Sequence, residues 1–251
     1  MILGLSHLIC ESNEISESIE FYKKRDFSII LDKTIEIPEL KKQILKNQKV
    51  KNHRVVLLRK KNIQDGINIE LVSHMPKEKI ETVKKYDNLT LGLNNENEYY
   101  FTEYDNDDNK IYNFKSKTAT NVSDIIYYTE NPEATEDFFS KFNLLKNKSE
   151  IINIFHDKYI ATFEPKNCII SSWKASIHLI KSEKKENARN YIDEPGFSTI
   201  AFYGKNIRDI TSSGLDFIGP IVFEKGILNE RKLTLFFIKT PDDLFFEIIY
   251  L

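Results

Sequence analysis

The sequence is poor in cysteine and has no long apolar run. Two cysteines, Cys10 and Cys168, occur in 251 residues and form no CxxC pair, which argues against a disulfide framework and favours a reducing compartment. No stretch approaches the ~18 consecutive apolar residues of a membrane-spanning helix. The N-terminus lacks the basic and apolar regions of a signal peptide. These absences predict a cytoplasmic protein that does not bind membranes.

An excess of positive charge is also missing. Lys and Arg number 36 and Asp and Glu number 38, which gives a net charge of -2. No basic field therefore favours nucleic acid as a partner. The GxGxxG, Walker A, GxSxG and HExxH patterns are absent, so nucleotide cofactors and serine nucleophiles have no support. The hydrophobic share of 41% and charged share of 29% are those of an ordinary globular protein.

A repeated phrase is the strongest signal that is present. LSHLICESNEISESIEFY, which starts at Leu5, aligns with VSDIIYYTENPEATEDFF, which starts at Val122, and with a third copy, FSTIAFYGKNIRDITSSGLDF. His7, Asp124 and Thr199 occupy the same place in the three copies. Each copy reads as a short apolar strand, a polar break and an amphipathic helix, because apolar residues recur at helical spacing after the break.

Each helix is followed by strands, and the last strands of the three copies also align. INIELVSH, ASIHLIKS and LFFEIIYL place Glu70, His178 and Glu247 at equivalent positions. The repeat is therefore a β-α-β-β-β unit, which is too small to cover its own sheet face. A weaker segment from Asn88 to Lys117 is interpreted as a degenerate copy without a helix. In chain order the four copies are units one, two (the degenerate copy), three and four, and the predicted class is α+β.

In the degenerate unit, Thr90 and Tyr112 take the two equivalent polar places. The segment Pro38–Asn52, called the insert below, interrupts unit one and is interpreted as a surface helix, with a lid as the alternative. Ser182–Pro195 is predicted to be a linker. His53, His74 and His156 fall at strand ends or in loops and are predicted to be surface residues.

These residues resemble the vicinal oxygen chelate superfamily, which includes glyoxalase I, bleomycin-resistance proteins and extradiol dioxygenases. The opening strand and helix are similar to the first elements of that fold, and LTLFFIKTPDDLFFEII is similar to its last hairpin. The resemblance implies units paired into cupped mixed sheets. If neighbouring units pair, residues 1–118 form an N-terminal glyoxalase-like domain and residues 119–251 a C-terminal one.

The resemblance also implies metal ligands on the first and last strands of each unit. Asp124, His178 and Glu247 are the predicted ligands of a divalent metal (Zn, Fe, Mn, Ni or Co), with Thr199 placed to orient substrate or water. Glu247 is the predicted general base. A secondary candidate site contains His7 and Glu70. In that cup they face Thr90 and also Tyr112, a second candidate substrate contact.

The resemblance favours one function and leaves a second open. The first is a metal-dependent isomerase, lyase or epimerase that acts on a small oxygen-rich metabolite through a stabilised enolate or oxyanion. The second is a metal-free protein that binds or sequesters a small molecule, of the drug-resistance type. In both cases the partner is a small molecule, and the protein is a monomer or a homodimer.

Overall fold

The computed structural model describes most of the chain, with gaps. The described residues are 2–61, 66–75, 89–95, 101–105, 109–115, 122–147, 155, 158–166, 168, 175–182, 191–223 and 232–250.

Within the described residues the structure has fifteen strands and three α-helices. The strands are β1 Ile2–Glu11, β2 Phe27–Glu36, β3 Asn52–Lys60, β4 Asn68–Met75, β5 Leu89–Asn95, β6 Phe101–Tyr104, β7 Lys110–Lys115, β8 Val122–Thr129, β9 Leu144–Asn147, β10 Tyr159–Pro165, β11 Ser176–Lys181, β12 Gly196–Gly204, β13 Phe217–Phe223, β14 Leu233–Lys239 and β15 Phe245–Tyr250. The helices are α1 Ile15–Lys23, α2 Pro132–Lys141 and α3 Ile207–Thr211, and a 3-10 helix spans Glu39–Ile44.

The strands form two mixed sheets, which confirms the predicted α+β class. Sheet A has the order β13-β14-β15-β12-β1-β4-β3-β2 and curls into a half-barrel, and sheet B has the order β6-β7-β5-β8-β11-β10-β9. The first strands of two units meet antiparallel at the centre of each sheet, as β1 with β12 and β5 with β8. Each first strand also pairs in parallel with the last strand of its own unit.

The pairing of units differs from the one expected above. Unit one pairs with unit four in sheet A, and unit two pairs with unit three in sheet B. The expected pairing of unit one with unit two and of unit three with unit four is therefore wrong, and the residues assigned to each cup change accordingly. The predicted domain boundary between residues 118 and 119 stays a prediction about the sequence repeats. Each sheet contains strands from both sides of it.

The helices begin and pack as their sequences indicate. The Asn131 side chain caps α2 by accepting a hydrogen bond from the Ala134 N–H, and Pro132 takes the first helical position. Ile15, Ile19 and Tyr22 form the buried stripe of α1. One large core contains these residues and apolar side chains from both sheets. No helix among the described residues is long and apolar enough to cross a membrane.

The insert does not lie on the surface, as had been favoured for it. Its 3-10 helix packs on unit four, and Ile44, Leu45 and Val50 are buried in a core that also contains Phe237 and Phe245. Burial of apolar side chains stabilises such a contact by roughly 25 cal/mol per Å² of area removed from water. The insert is therefore a fixed cover over one face of sheet A.

The end of the predicted linker Ser182–Pro195 holds this cover in place. Asp193 is buried, and its carboxylate accepts hydrogen bonds from the backbone N–H groups of Lys46 and Asn47, at 2.7 and 3.0 Å. The Ile192 N–H donates to the Ile44 carbonyl. Residues 191–195 thus belong to the packed structure, and residues 183–190 of the predicted linker lie outside the described part of the chain.

We expect Asp193→Ala to destabilise the protein by about 2 kcal/mol, because two backbone N–H groups of the insert lose a charged acceptor. Urea denaturation measures this free energy of unfolding. Asp137→Ala, on the exposed side of α2, is the control and should change it by less than about 0.5 kcal/mol. Equal effects of the two substitutions would contradict the role given to Asp193.

Candidate active site

The alternation of strand residues places four of the predicted site residues on one face of sheet A. His7, Glu70, Thr199 and Glu247 come from β1, β4, β12 and β15, and the residues between them point into the large core on the other side. The insert packs against the face that carries these four residues. We call this face, together with the insert above it, the cup.

His7 and Glu70 form a close polar pair at the centre of the cup. His7 Nδ1 lies 2.9 Å from the Ser6 hydroxyl, and His7 Nε2 lies 3.3 Å from Glu70 Oε2. The second contact lacks hydrogen-bond geometry, so Nε2 is a buried nitrogen without a hydrogen-bond partner. An unpartnered buried polar atom costs about 1–3 kcal/mol. A bound ligand or water at this nitrogen would remove that cost.

Glu247 reaches the same group from unit four. In the strand register Ala201 lies between His7 and Glu247, and its methyl group is the only side chain that separates them in that row. Glu247 is 5% exposed, and Thr199, in the next row, is 1% exposed. Because β1 and β12 are partners, the cup combines unit one with unit four. His7, Glu70, Thr199 and Glu247 therefore line one site.

A buried lysine covers these residues. Lys41, from the 3-10 helix of the insert, is 7% exposed, and its Nζ lies 5.4 Å from the centre of the Phe237 ring. Its positive charge acts on His7, Glu70 and Glu247 together. The site thus contains one fixed cation, two carboxyls and one imidazole.

Burial shifts the proton equilibria of this group. It lowers the pKa of His7 from 6.5 to about 4, a shift that the Glu247 carboxylate partly opposes and the Lys41 ammonium increases. Burial raises the pKa of Glu70 from 4.5 to about 7, and Lys41 limits the rise. Burial also raises the pKa of Glu247, against the effects of Lys41 and His7. Near neutral pH, His7 is uncharged and Glu70 is poised between its two forms.

A second polar group extends the cup toward the β3 edge, and the sequence interpretation missed it. Glu11 Oε2 lies 3.1 Å from His74 Nδ1, and the His53 and His74 rings are 5.7 Å apart. His53 Nδ1 and His74 Nε2 are buried without a hydrogen-bond partner. Burial lowers the pKa of His53 to about 2, with smaller contributions from Lys41 and His74.

His53 is therefore a buried residue and His74 is largely buried, against the expectation that both lie on the surface. The alternation of β4 could have identified His74, which follows Glu70 by four residues and so shares its face. His156 lies outside the described residues.

The predicted metal ligands are divided between the two sheets. Asp124 and His178 lie in β8 and β11 of sheet B, whereas Glu247 lies in sheet A. His178 Nε2 is 2.7 Å from Asp124 Oδ1, and His178 Nδ1 is 2.9 Å from Thr162 Oγ1, which is 2.8 Å from the Tyr159 hydroxyl. The imidazole is thus hydrogen-bonded at both nitrogens. The structure does not bring Asp124, His178 and Glu247 together.

The two remaining candidates belong to unit two. Thr90 is buried in β5, and its hydroxyl has no hydrogen-bond partner. Tyr112 lies in β7, where its backbone is opposite Gly92 of β5, and its side chain is outside the described part of the structure. Both residues are in sheet B, so they do not face His7 and Glu70 as the pairing of neighbouring units had implied.

The cup of sheet A matches a divalent metal ion in donor type but not in arrangement. One imidazole and two carboxylates suit Zn, Fe, Mn, Ni or Co. The Lys41 ammonium, however, is buried over the same donors and would repel a cation. Within the described residues, no three His, Cys, Asp or Glu side chains are placed so that they could hold one ion. As placed, these residues do not fit a metal ion.

The raised pKa of Glu70 predicts a pH-dependent effect of Glu70→Gln on stability. Folded protein holds the Glu70 proton up to about pH 7, and the unfolded chain releases it near 4.5. The contribution of Glu70 to the free energy of unfolding therefore falls as pH rises through this window. The glutamine does not ionise, so the variant should gain stability relative to wild type between about pH 5 and about pH 8.

Urea denaturation across this pH range measures the difference between wild type and variant. Both proteins keep His7, so its opposite pH dependence cancels in the comparison. The exposed Glu36→Gln on β2 is the matched control and should show a difference that does not change with pH. The same flat profile for Glu70→Gln would show that the Glu70 pKa is not raised.

Thr162→Val tests the hydrogen-bonded chain in sheet B. The substitution keeps the shape of a buried side chain but removes the hydroxyl next to His178 Nδ1, so we expect a loss of about 1–3 kcal/mol in the free energy of unfolding. Thermal or urea denaturation measures the loss. Thr34→Val, at an exposed position of β2, should stay within about 0.5 kcal/mol of wild type. A neutral Thr162→Val would mean that His178 does not depend on this hydroxyl.

Comparison with known proteins gives similarity in structure alone. No model of a known protein family matches the sequence, and no curated protein matches it. Glyoxalase I from Zea mays superposes with a TM-score of 0.62 at 11% identity, over 98% of this chain and 92% of the plant enzyme. Its V278E mutant gives 0.64 at 12% identity, over 98% and 92%. A candidate dioxygenase from Bacillus subtilis gives 0.62 at 10% identity, over 99% and 85%.

These similarities cover nearly the whole chain and both sheets, and they agree with the arrangement of four β-α-β-β-β-type units described above. At this level of identity they establish the fold, and any chemistry has to be inferred from the residues of this chain. The protein therefore has a glyoxalase-like fold.

Proposed function

We propose that the cup of sheet A is the active site of an enzyme that moves a proton next to a carbonyl group in a small oxygen-rich molecule. The observation that carries this proposal is the convergence of His7, Glu70 and Glu247, from three strands of two units, under the buried Lys41. Buried ionisable side chains are costly for a fold unless they are paired or have a function.

The two carboxyls supply the acid and the base. Glu247, in its ionised form, takes a proton from the carbon next to the carbonyl. Glu70, with a pKa of about 7, donates its proton to the carbonyl oxygen, which gives a neutral enol. Transfer of the Glu247 proton to the former carbonyl carbon, while Glu70 takes the proton of the hydroxyl on the first carbon, completes an isomerisation. Return of a proton to the first carbon on its opposite face, while Glu70 takes back the enol proton, completes an epimerisation. Two carboxyls in one site, with one protonated and one ionised, are a common arrangement for such chemistry.

The remaining side chains bind and orient the substrate. His7 is uncharged near neutral pH, and its unpartnered Nε2 is available to a substrate hydroxyl. The Thr199 hydroxyl lies in the row next to Glu247 and lines the same face. The insert excludes water from the cup, which strengthens each of these polar interactions.

Metal-free binding without chemistry is the second candidate function. The apolar side chains of the insert and of unit four, including Ile44 and Phe237, pack together on the cup face beside the ionisable groups. A protein that only sequesters a small molecule needs such a wall and a few polar contacts. Binding would then continue when the carboxyls are replaced by amides.

Exchange of carbon-bound protons in D2O tests the proposed chemistry without knowledge of the natural substrate. Glycolaldehyde, dihydroxyacetone and glyceraldehyde are suitable probes, and proton NMR follows the loss of the signal next to the carbonyl. We expect wild type to catalyse exchange in at least one probe. Glu247→Gln should reduce the rate at least ~100-fold, as loss of a general base does, whereas the exposed Glu36→Gln should leave it unchanged.

Binding of a probe without exchange would favour the sequestering function. Exchange that survives both Glu247→Gln and Glu70→Gln would place the chemistry elsewhere in the molecule. Metal content by elemental mass spectrometry accompanies the assay. One ion per chain that is lost in Glu247→Ala and Glu70→Ala would replace the proposal by metal-dependent catalysis at these residues.

A further inference from the structure

The burial of Lys41 is not explained by an ion pair at the protein surface. The neighbouring Lys42 is only partly buried and forms an ordinary ion pair with Glu39, at 2.6 Å. Lys41, one position earlier, turns into the cup and is 7% exposed. The ordering of a lysine side chain costs up to about 2 kcal/mol in entropy, in addition to the desolvation of its charge.

Within the described part of the chain, the Lys41 ammonium also has no contact partner of opposite charge. Among the residues that the structure describes, no carboxylate lies within ion-pair distance of its Nζ, although its charge acts on Glu70 and Glu247. His7 and His53 face it as uncharged imidazoles. The cation therefore lies near the carboxyls without touching them, and His7 Nε2 is unpartnered in the same group.

We propose that Lys41 is the resident cation of the site. Its ammonium donates a hydrogen bond to the substrate oxygen on which negative charge develops, and it takes the electrostatic place that a divalent metal ion would otherwise fill among Glu70, Glu247 and His7. This inference rests on the function proposed above and adds its electrophilic group. It also narrows the substrate class to molecules with a carbonyl or carboxylate oxygen that can enter between Lys41 and the carboxyls.

Metal binding tests this proposal without a substrate. Lys41→Met keeps most of the length of the side chain but removes the charge, and Lys42→Met is the matched control on the same helix. We expect Lys41→Met to bind Zn²⁺ or Mn²⁺ at least ~10-fold more tightly than wild type in calorimetric titration, because a like charge has been removed. Lys42→Met should bind as wild type does.

Equal affinity of wild type and Lys41→Met for both ions, whether weak or tight, would overturn the proposal. If Lys41→Met is too unstable to titrate, Lys41→Met/Glu247→Gln is compared with Glu247→Gln alone, and the same gain is expected.

A double-mutant cycle gives a second readout. Each single substitution, Lys41→Met or Glu247→Gln, leaves a buried charge without compensation, so the double variant should be more stable than the sum of the two losses predicts. Additive losses would contradict the electrostatic pairing. The metal titration and the double-mutant cycle do not depend on proton exchange. A failed exchange assay would therefore overturn the proposed function, while these two measurements would still test the role of Lys41.

Discussion

The antiparallel pairing of β1 with β12 is the constraint on which the site depends. It joins residues that are 190 positions apart, such as Ile9 and Thr199 (199 minus 9). Through this pairing the parallel neighbours β4 and β15 come to lie on either side of a common centre, and with them Glu70 and Glu247. Neither unit contains the full set of polar groups, so the chemistry of the cup is a property of the pair.

The insert both buries the polar groups of the cup and brings a charge that compensates for part of the free-energy cost of that burial. Carboxyls and imidazoles on a sheet face open to water would keep ordinary proton affinities. Beneath the insert they lose solvent, which lowers the pKa of His7 and raises that of Glu70. The same cover brings a compensating cation, Lys41, and is held by the buried carboxylate of Asp193. The insert, the Lys41 charge and the ionisable side chains of the cup therefore depend on one another.

Local spacing is enough to predict the repeats, the α+β class and the N-terminal cap of α2. It also predicts the polar positions His7, Glu70, Thr199 and Glu247. The partners of the units could not be predicted in this way. Every unit presents a first strand with the same free edge, and only the full set of packing interactions decides which two edges meet. The expected ligand set was therefore divided between the sheets, and Asp124 and His178 instead bond to each other. The burial of Lys41 depends on the same long-range contacts.

The nested order of the sheets has a consequence for how the chain reaches its native state. Units two and three adjoin in sequence, so sheet B can assemble from nearby segments, whereas β1 must remain without its partner until β12 has been synthesised. Contacts of such long separation form late and make folding slow. Although β1 can pair with β4 of its own unit, its open edge is prone to aggregation until β12 pairs with it. We expect the cup to be the last part of the molecule to form.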